Sequence, residues 1–373
     1  MMKFIKFSQI MDFQKKSHIK AGDGLSEGAF PFFTSSPILS KYVDSFQFNL
    51  PSLIFGTGGN ASIHICTQSF SVSTDCLVGQ LKSDAIDKFE IKFIYYYLYG
   101  NVRLLEDGFK GAGLKHISKN YINDIDIPFL PLDTQKHIVN ILDKADVLCQ
   151  KRKQAIKLLD NYLKSIFLEM FGDPVKNPKK WDLKLLEEIS NLERGRFSPR
   201  PRNDPKYFGG EYPFIQTGDI NNSNYRLKKF TQTLNEKGIK VSKEFLKGDI
   251  VIAIVGATIG ATAILEIDAY ATDSVICIKT DADVVNGIYL EFTLRFWRKI
   301  LLENAPEVAR PNINLAILNN LKIILPPIKM QTKFSEIVLR IDFLKKKMLI
   351  QSNELETQFQ ALMQKAFSGE LYV

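Results

Sequence analysis

The chain repeats itself once, and this internal repeat constrains its fold more than any other feature. The segment FLPLDTQ at 129–135 precedes one long helical pattern, and LPPIKMQ at 325–331 precedes another. Moving the sequence by 196 positions, the difference between 331 and 135, also places Phe171 on Phe367 without a gap. One register therefore relates both segments and the helical patterns that follow them.

Shorter matches continue upstream in the same order. They are FPF at 30–32 with YPF at 212–214, LIFGTGGNA at 53–61 with IAIVGATIGA at 252–261, and Thr-Asp pairs at 74–75 and 272–273. Their common order indicates duplication of a unit of roughly 180 to 200 residues, which is too long for a solenoid repeat. We therefore expect two similar domains, each followed by one long helix.

Each half has the pattern of a mixed α/β domain. Short runs rich in β-branched residues, such as DIVIAIVGA and SVICIKT, are bounded by Gly, Asp and Thr and predict strands. Segments 87–99 and 286–302 predict helices.

Two longer helices are predicted at 134–171 and 330–367, where apolar residues recur at steps of three and four. A helix of that length spans on the order of 57 Å and needs a partner along its apolar seam. The simplest arrangement packs the two helices on each other as an antiparallel coiled coil. The seam by itself indicates only core packing and no special binding face.

The positive charge of the chain is concentrated in one region. The net charge is +8, and residues 190–247 carry 12 Lys and Arg against 6 Asp and Glu. Residues 1–131 carry 13 against 12. A local basic excess favours a polyanionic partner, although a merely soluble surface remains an alternative.

Several classes of function lack support in the sequence. The four cysteines and four histidines are scattered without metal-ligand spacing, and the cysteine usage fits a reducing cytoplasm. No signal segment or run of about 20 apolar residues is found, so no membrane role is expected. Neither a methyltransferase tetrapeptide nor a nuclease carboxylate cluster nor a nucleophile elbow is present, so we expect no catalytic residue and no metal.

Two motifs carry a resemblance to a known family. The stretch FGDPVKNPKKW at 171–181 and the stretch KGDIVIAIVGATIG at 247–260 together resemble type I restriction-modification specificity subunits. The resemblance covers nearly the whole chain. It implies two target-recognition domains, at 1–131 and 174–328, joined by spacer helices at 132–173 and 329–373.

The resemblance also implies partners. Each domain would read one half of a bipartite site in double-stranded DNA, while the helices set the gap between the halves and dock two methyltransferase subunits. S-adenosylmethionine would bind to those subunits, and this chain would hold no cofactor. Whether a restriction or translocase subunit also joins is left open. Two alternatives remain: a self-contained DNA-modifying enzyme and a coiled-coil scaffold that binds proteins.

The second domain supplies most candidate DNA contacts. The segment 193–210 is rich in Arg, Pro and Gly, which suits an extended loop whose guanidinium groups bond phosphates or guanine edges. A solvated loop, a tight turn at 256–260 and helix capping by asparagine are the structural alternatives. The candidates are Arg194, Arg196, Arg200, Arg202, Lys206, Thr217, Lys228, Lys229, Thr258, Arg310, Asn312 and Asn314.

The first domain departs from the family pattern at its start. It lacks the tryptophan that opens the second domain at Trp181, and it lacks the arginine-rich turn. We therefore expect it to be divergent or trimmed at its amino end. Its candidate DNA contacts are Lys15, Lys16, Lys20, Thr34, Ser35, Asn60, Lys115 and His116.

Overall fold

The computed structural model describes residues 3–303 and 312–371. The chain forms two compact units. Unit 1 comprises Met1–Gln154 and Met348–Val373, and unit 2 comprises Ala155–Lys347.

Unit 1 begins with short strands and ends in the first half of a long helix. Its elements are β1 (Lys3–Lys6), α1 (Phe7–Ile10), β2 (Met11–Phe13), β3 (Phe30–Phe33), β4 (Lys41–Val43), β5 (Ser52–Gly56), β6 (Ser62–Cys66), β7 (Ser71–Val72), β8 (Cys76–Leu81), α2 (Ile91–Gly100), α3 (Arg103–Glu106), α4 (Lys119–Asn123), β9 (Asp126–Phe129) and α5 (Leu132–Phe171).

Two sheets form the framework of unit 1. The larger has the order β2-β8-β5-β6 with antiparallel pairs, and the smaller has the order β4-β3-β7. Helix α2 packs on the larger sheet through Ile91, Ile94 and Leu98, which are buried together with Leu53 and Phe55. Burial of each such side chain contributes about 1.5–3 kcal/mol, so this layer is a main source of the stability of unit 1.

Unit 2 repeats the same kinds of element after α5. They are β10 (Leu183–Leu185), α6 (Leu186–Ile189), β11 (Ser190–Arg194), β12 (Phe208–Ile215), α7 (Thr217–Asn221), β13 (Tyr225–Leu227), β14 (Gln232–Leu234), α8 (Glu236–Lys240), β15 (Lys243–Phe245), β16 (Ile250–Ala253), β17 (Thr262–Leu265), β18 (Ala269–Ala271), β19 (Val275–Thr280), α9 (Gly287–Glu303), α10 (Leu315–Asn319), β20 (Lys322–Ile324) and α11 (Ile328–Ser368).

The sheets of unit 2 correspond to those of unit 1 strand by strand. The order β11-β19-β16-β17 matches β2-β8-β5-β6, and unit 2 adds β13 beside β17. The parallel pair β12 and β18 matches the parallel pair β3 and β7. Both units also open with a strand, a one-turn helix and a strand. The predicted repeat of two mixed α/β domains is therefore confirmed.

The long helices pack on each other in an antiparallel manner. In unit 1, Ile138 and Leu142 of α5 share a buried cluster with Phe359 and Met363 of α11. In unit 2, Phe167 lies near the other end of α5, and its ring contacts that of Phe334 near the start of α11. The first half of each helix thus meets the last half of the other, as the sequence predicts.

A buried glutamine attaches each long helix to the domain before it. Gln135 is fully buried, and its side chain bonds the backbone of Lys88, Glu90 and Leu130. Gln331 is equally buried and bonds the backbone of Asn286 and Pro326. Glu90 and Asn286 are themselves 196 positions apart, so the register of the repeat extends back to the starts of α2 and α9.

Candidate nucleic-acid interface

Most of the candidate residues in unit 2 lie at one end of the main sheet, where several of its strands begin or end; we call such an end an edge. Strand β11 ends at Arg194, β16 ends at Ala253 and β19 begins at Val275, and these ends are neighbours in the sheet. The connections at this edge, 195–204, 254–261 and 272–274, therefore lie side by side. Together with 312–314 they form what we call loop edge 2.

Asp273 holds the arginine-rich loop at loop edge 2. Its backbone carbonyl accepts a hydrogen bond from Arg194 Nε at 2.6 Å, and its carboxylate lies 2.7 Å from Arg202 Nη2 and 3.9 Å from Arg200 Nη2. Arg196 instead donates to the carbonyl of Ser242. All four arginines are exposed. The loop thus presents several guanidinium groups to solvent, partly neutralised by one carboxylate.

The turn between β16 and β17 lies beside the segment that precedes α10. Gly256–Thr258 is a 3-10 turn between the two strands. The backbone N–H of Ile313 donates to Ile254 at 3.0 Å, which places Asn312 next to the turn. Asn314 caps α10 by accepting from Ile317 N, as the capping alternative predicts. Arg310 lies outside the described residues.

The other candidates in unit 2 are placed differently. Thr217 begins α7, which packs against the Gly256–Thr258 turn. Lys206 pairs with Asp204 and lies over the ring of Tyr207, on an aromatic cluster around Phe197. Lys228 and Lys229 follow Leu227, whose strand partner Leu265 lies at the opposite edge of the sheet. The structure therefore does not bring these two lysines to loop edge 2.

Unit 1 has a corresponding edge, which we call loop edge 1. Its segments are 14–20, 34–36, 57–60, 74–75 and 116–118. The carbonyl of Asp75 accepts from Ser35 Oγ at 2.7 Å and from the N–H and Oγ1 of Thr57, each at 2.9 Å. The carbonyl of Thr57 in turn accepts from the N–H of Ile117, which places His116 beside the turn.

Most candidates of the first domain lie on or beside loop edge 1. The N–H of Thr74 donates to the carbonyl of Ile19 at 2.8 Å, so the basic segment lies against the Thr-Asp pair. Exposed side chains there are Lys15, Lys16, Lys20, Asn60, Lys115 and His116, and Thr34 and Ser35 are half-buried. This edge carries lysines where loop edge 2 carries arginines.

The sequence contains a signal for the residues that organise the two loop edges. Asp75 and Asp273 belong to the Thr-Asp pairs that the two halves share, and both join the connections of their edge. A repeated polar pair next to a strand start indicates a residue that fixes loop geometry. Asp273 also leaves its Oδ1 atom buried without a partner among the described residues.

Residues 3–303 and 312–371 contain neither a metal-ligand cluster nor an exposed thiol. No group of three His, Cys, Asp or Glu side chains in 3–303 and 312–371 can hold a metal ion. All four cysteines are buried, and burial raises the pKa of the Cys76 thiol to about 11. A protonated, buried thiol is a poor nucleophile. In the same residues no helix combines the length and the hydropathy needed to span a membrane.

The sequence matches a known family model over most of its length. The model, described as type I restriction modification DNA specificity domain, matches residues 1–158 and 178–356. The chain is 24% identical over 322 residues to the type I restriction enzyme EcoBI specificity subunit of Escherichia coli, an alignment that covers 76% of this chain and 66% of that protein, just under two thirds.

Two further proteins are similar over almost the whole chain. The type I restriction enzyme MjaVIII specificity subunit of Methanocaldococcus jannaschii is 22% identical over 379 residues, covering 93% of this chain and 87% of that protein. The crystal structure of a type I restriction-modification S subunit from M. genitalium superposes with a TM-score of 0.60 at 16% identity, covering 98% of this chain and 96% of the other. The latter likeness shows a shared fold.

Proposed function

This chain belongs to the family of type I restriction modification DNA specificity domains, and we propose on that premise that it reads double-stranded DNA as the specificity subunit of a type I complex. Each unit reads one half of a bipartite site through its loop edge. The observation that carries the proposal is the pair of equivalent loop edges, each built from the same strand ends and each rich in cations.

The chemistry of the loop edges suits the two kinds of DNA contact. Exposed guanidinium and ammonium groups neutralise phosphates, which positions the protein without reading sequence. An arginine can also bond guanine O6 and N7 together, and that contact distinguishes base pairs. Arg200 and Arg202 can serve in either role, because their side chains are 58% and 49% exposed.

The long helices supply surfaces for protein partners. Exposed apolar side chains on α5 and α11 include Leu158, Tyr162 and Phe343 in unit 2, and Val147 and Ile350 in unit 1. Apolar side chains exposed together commonly mark interaction sites. We propose that they dock two methyltransferase subunits, which bring S-adenosylmethionine and the methyl-transfer site, and that the assembly works in the cytoplasm. This chain contributes recognition and no catalytic residue.

A DNA-binding experiment with matched charge changes tests the reading surface. The probe is a random-sequence DNA duplex, and the double variant Arg200→Ala with Arg202→Ala is compared with Lys228→Ala with Lys229→Ala. The slope of log K against log salt is negative, and each lost phosphate contact makes it shallower by about 0.9, so the arginine pair should make it shallower by about 1.8. The lysine pair at the opposite edge should leave the slope unchanged. Equal slopes in both variants would remove the arginine loop from the interface.

A co-purification experiment tests the docking surface. Phe343→Ser should weaken capture of a co-expressed type I methyltransferase subunit, whereas Lys346→Ser, an exposed polar neighbour on α11, should not. The purified chain alone should transfer no methyl group from S-adenosylmethionine. Methyl transfer by the isolated chain would contradict the assignment of catalysis to the partner.

A further inference from the structure

A polar cavity opens beside the Gly256–Thr258 turn in unit 2. It has a volume of about 310 Å³ and is lined by Asn221, Asn224, Tyr225, Gly260, Arg295 and Arg298, with Ile220, Ala261 and Thr262 completing the wall. None of the carboxylates in residues 3–303 and 312–371 lines it. Gly260 and Ala261 belong to the connection 254–261 between β16 and β17, so the cavity borders loop edge 2.

Arg295 is held at the cavity through its Nε atom. Its Nε donates to Glu291 Oε1 at 2.9 Å, and its guanidinium lies over the rings of Tyr225 and Phe292 at 4.8 and 5.1 Å. The two terminal Nη atoms have no hydrogen-bond partner among the described residues. A guanidinium held through Nε and stacked on two rings loses little freedom when its Nη atoms bind an anion.

Arg298 lies on the same face of α9, and its backbone packs closely on the turn. Gly260 has a φ of 74°, and a Cβ there would come within 3.0 Å of Arg298 Cα, so only glycine allows this approach. Arg298 Nη2 donates to Asn221 Oδ1 at 2.7 Å. It pairs with no carboxylate in the part of the chain that the structure describes. Two guanidinium groups therefore converge on the cavity.

The carboxyl group bonded to Arg295 is buried and does not line the cavity. Glu291 is fully buried; its Oε1 is bonded by Arg295 and Thr262, and its Oε2 has no partner among the described residues. A ligand in the cavity would thus meet arginine and asparagine side chains and no exposed acid. This set of groups favours an oxyanion with several acceptor oxygens.

We propose that this cavity binds one backbone phosphate of the DNA strand that passes the Gly256–Thr258 turn. The proposal rests on the proposed function and adds to it a phosphate contact outside the arginine loop. The first domain has no counterpart, because Tyr95, Tyr99 and Val102 occupy the positions of Glu291, Arg295 and Arg298 in the register of 196. The contact therefore positions DNA on the second domain alone.

The salt dependence of DNA binding by the full chain tests the proposal. The probe is the random-sequence duplex, and Arg298→Ala is compared with Lys299→Ala, which removes the adjacent cation, 85% exposed and paired with Glu303. Arg298→Ala should make the negative slope of log K against log salt shallower by about 0.9. Lys299→Ala should leave the slope at the wild-type value, and Arg298→Lys, which retains the charge, should restore most of it.

The outcomes separate this proposal from the proposed function. Absence of salt-dependent DNA binding in the wild-type chain would overturn the proposed function and this proposal with it. Salt-dependent binding by the wild-type chain, with equal slopes for Arg298→Ala and Lys299→Ala, would overturn the proposed phosphate site and leave the proposed function standing. A third arm adds inorganic phosphate: if phosphate stabilises the wild type against heat and not Arg298→Ala, while the DNA slopes stay equal, the cavity holds a free anion and the proposal is wrong.

Discussion

The Oε1 atom of Gln331 accepts a hydrogen bond from the backbone N–H of Asn286 at 2.9 Å, inside a core where Gln331 has no exposed surface. Gln331→Ala would leave that N–H and the carbonyl of Pro326 without their partner. Each buried unsatisfied group costs about 1–3 kcal/mol, so the loss of both bonds should lower the free energy of unfolding by roughly 2–6 kcal/mol. Urea denaturation measures this change.

The control for that prediction lies on the same helix. Gln351 is exposed and bonds only Arg152, so Gln351→Ala should change the free energy of unfolding by less than about 0.5 kcal/mol. Equal changes in the free energy of unfolding for the two substitutions would show that the buried hydrogen bonds of Gln331 do not stabilise the fold.

The stability of unit 2 should depend on pH through Glu291. Burial raises the pKa of its carboxyl group from 4.5 to about 7, against the opposing effects of Arg295, Thr262 and Arg226. At pH values between these two pKa values, the carboxyl group of Glu291 binds its proton more tightly in the folded state than in the unfolded state. The free energy of unfolding should therefore fall as pH rises through this range, by about 3 kcal/mol at most.

Glu291→Gln provides the comparison for the pH dependence. The variant has no proton to lose, so its urea midpoint should change less than that of the wild type between pH values of about 5 and about 8. The two proteins should differ least in stability near the acidic end, where Glu291 is neutral. Parallel pH profiles would mean that Glu291 is charged throughout this range.

Removal of the acid at loop edge 2 should strengthen nonspecific DNA binding. Asp273→Asn frees Arg202, and partly Arg200, from the carboxylate. One added phosphate contact would make the slope of log K against log salt steeper by about 0.9. Asp283→Asn makes the same charge change at the other edge of the sheet and should have no such effect. Weaker binding by Asp273→Asn would show that the acid is needed to order the loop for DNA.

The length of α5 should set the gap in the DNA site. Four residues inserted after Lys157 lengthen the helix by about 6 Å, or roughly two base pairs, and four residues nearly complete a helical turn. Because α11 keeps its length, it must slip along α5, and the gap should widen by two base pairs or fewer. Mapping of methylated sites in cells with the variant should return unchanged half-sites. Altered half-sites with the original gap would contradict the spacer role.

The elements with a strong periodic pattern were predicted well from the sequence. The helix predicted at 286–302 is observed at Gly287–Glu303, whereas the helix predicted at 87–99 begins only at Ile91. The long helices begin at Leu132 and Ile328, two residues before the starts at 134 and 330 that the apolar seam predicts. Both follow directly on Pro131 and Pro327. A proline is pre-organised for a helix start, whereas the apolar seam begins only later, so the pattern alone places the start too late.

The placement of individual side chains could not be predicted in the same way. Lys228 and Lys229 follow β13, a strand of three residues whose position beside β17 depends on long-range pairing. Arg295 and Arg298 look like ordinary surface residues of an amphipathic helix, because the sequence does not show that Gly260 approaches α9. Asp273 has its role only because distant strand ends meet at one edge.

The buried glutamines bond only to backbone atoms of the domains that they hold. Gln135 contacts the N–H of Glu90 and the carbonyls of Lys88 and Leu130, and Gln331 contacts the N–H of Asn286 and the carbonyl of Pro326. Almost any sequence supplies these groups, so the joint is indifferent to the side chains of the domain attached to it. This part of the attachment would therefore survive exchange of one domain for another with the same backbone, whereas Asp342, which bonds the side chains of Tyr225 and Arg226, would need matching partners.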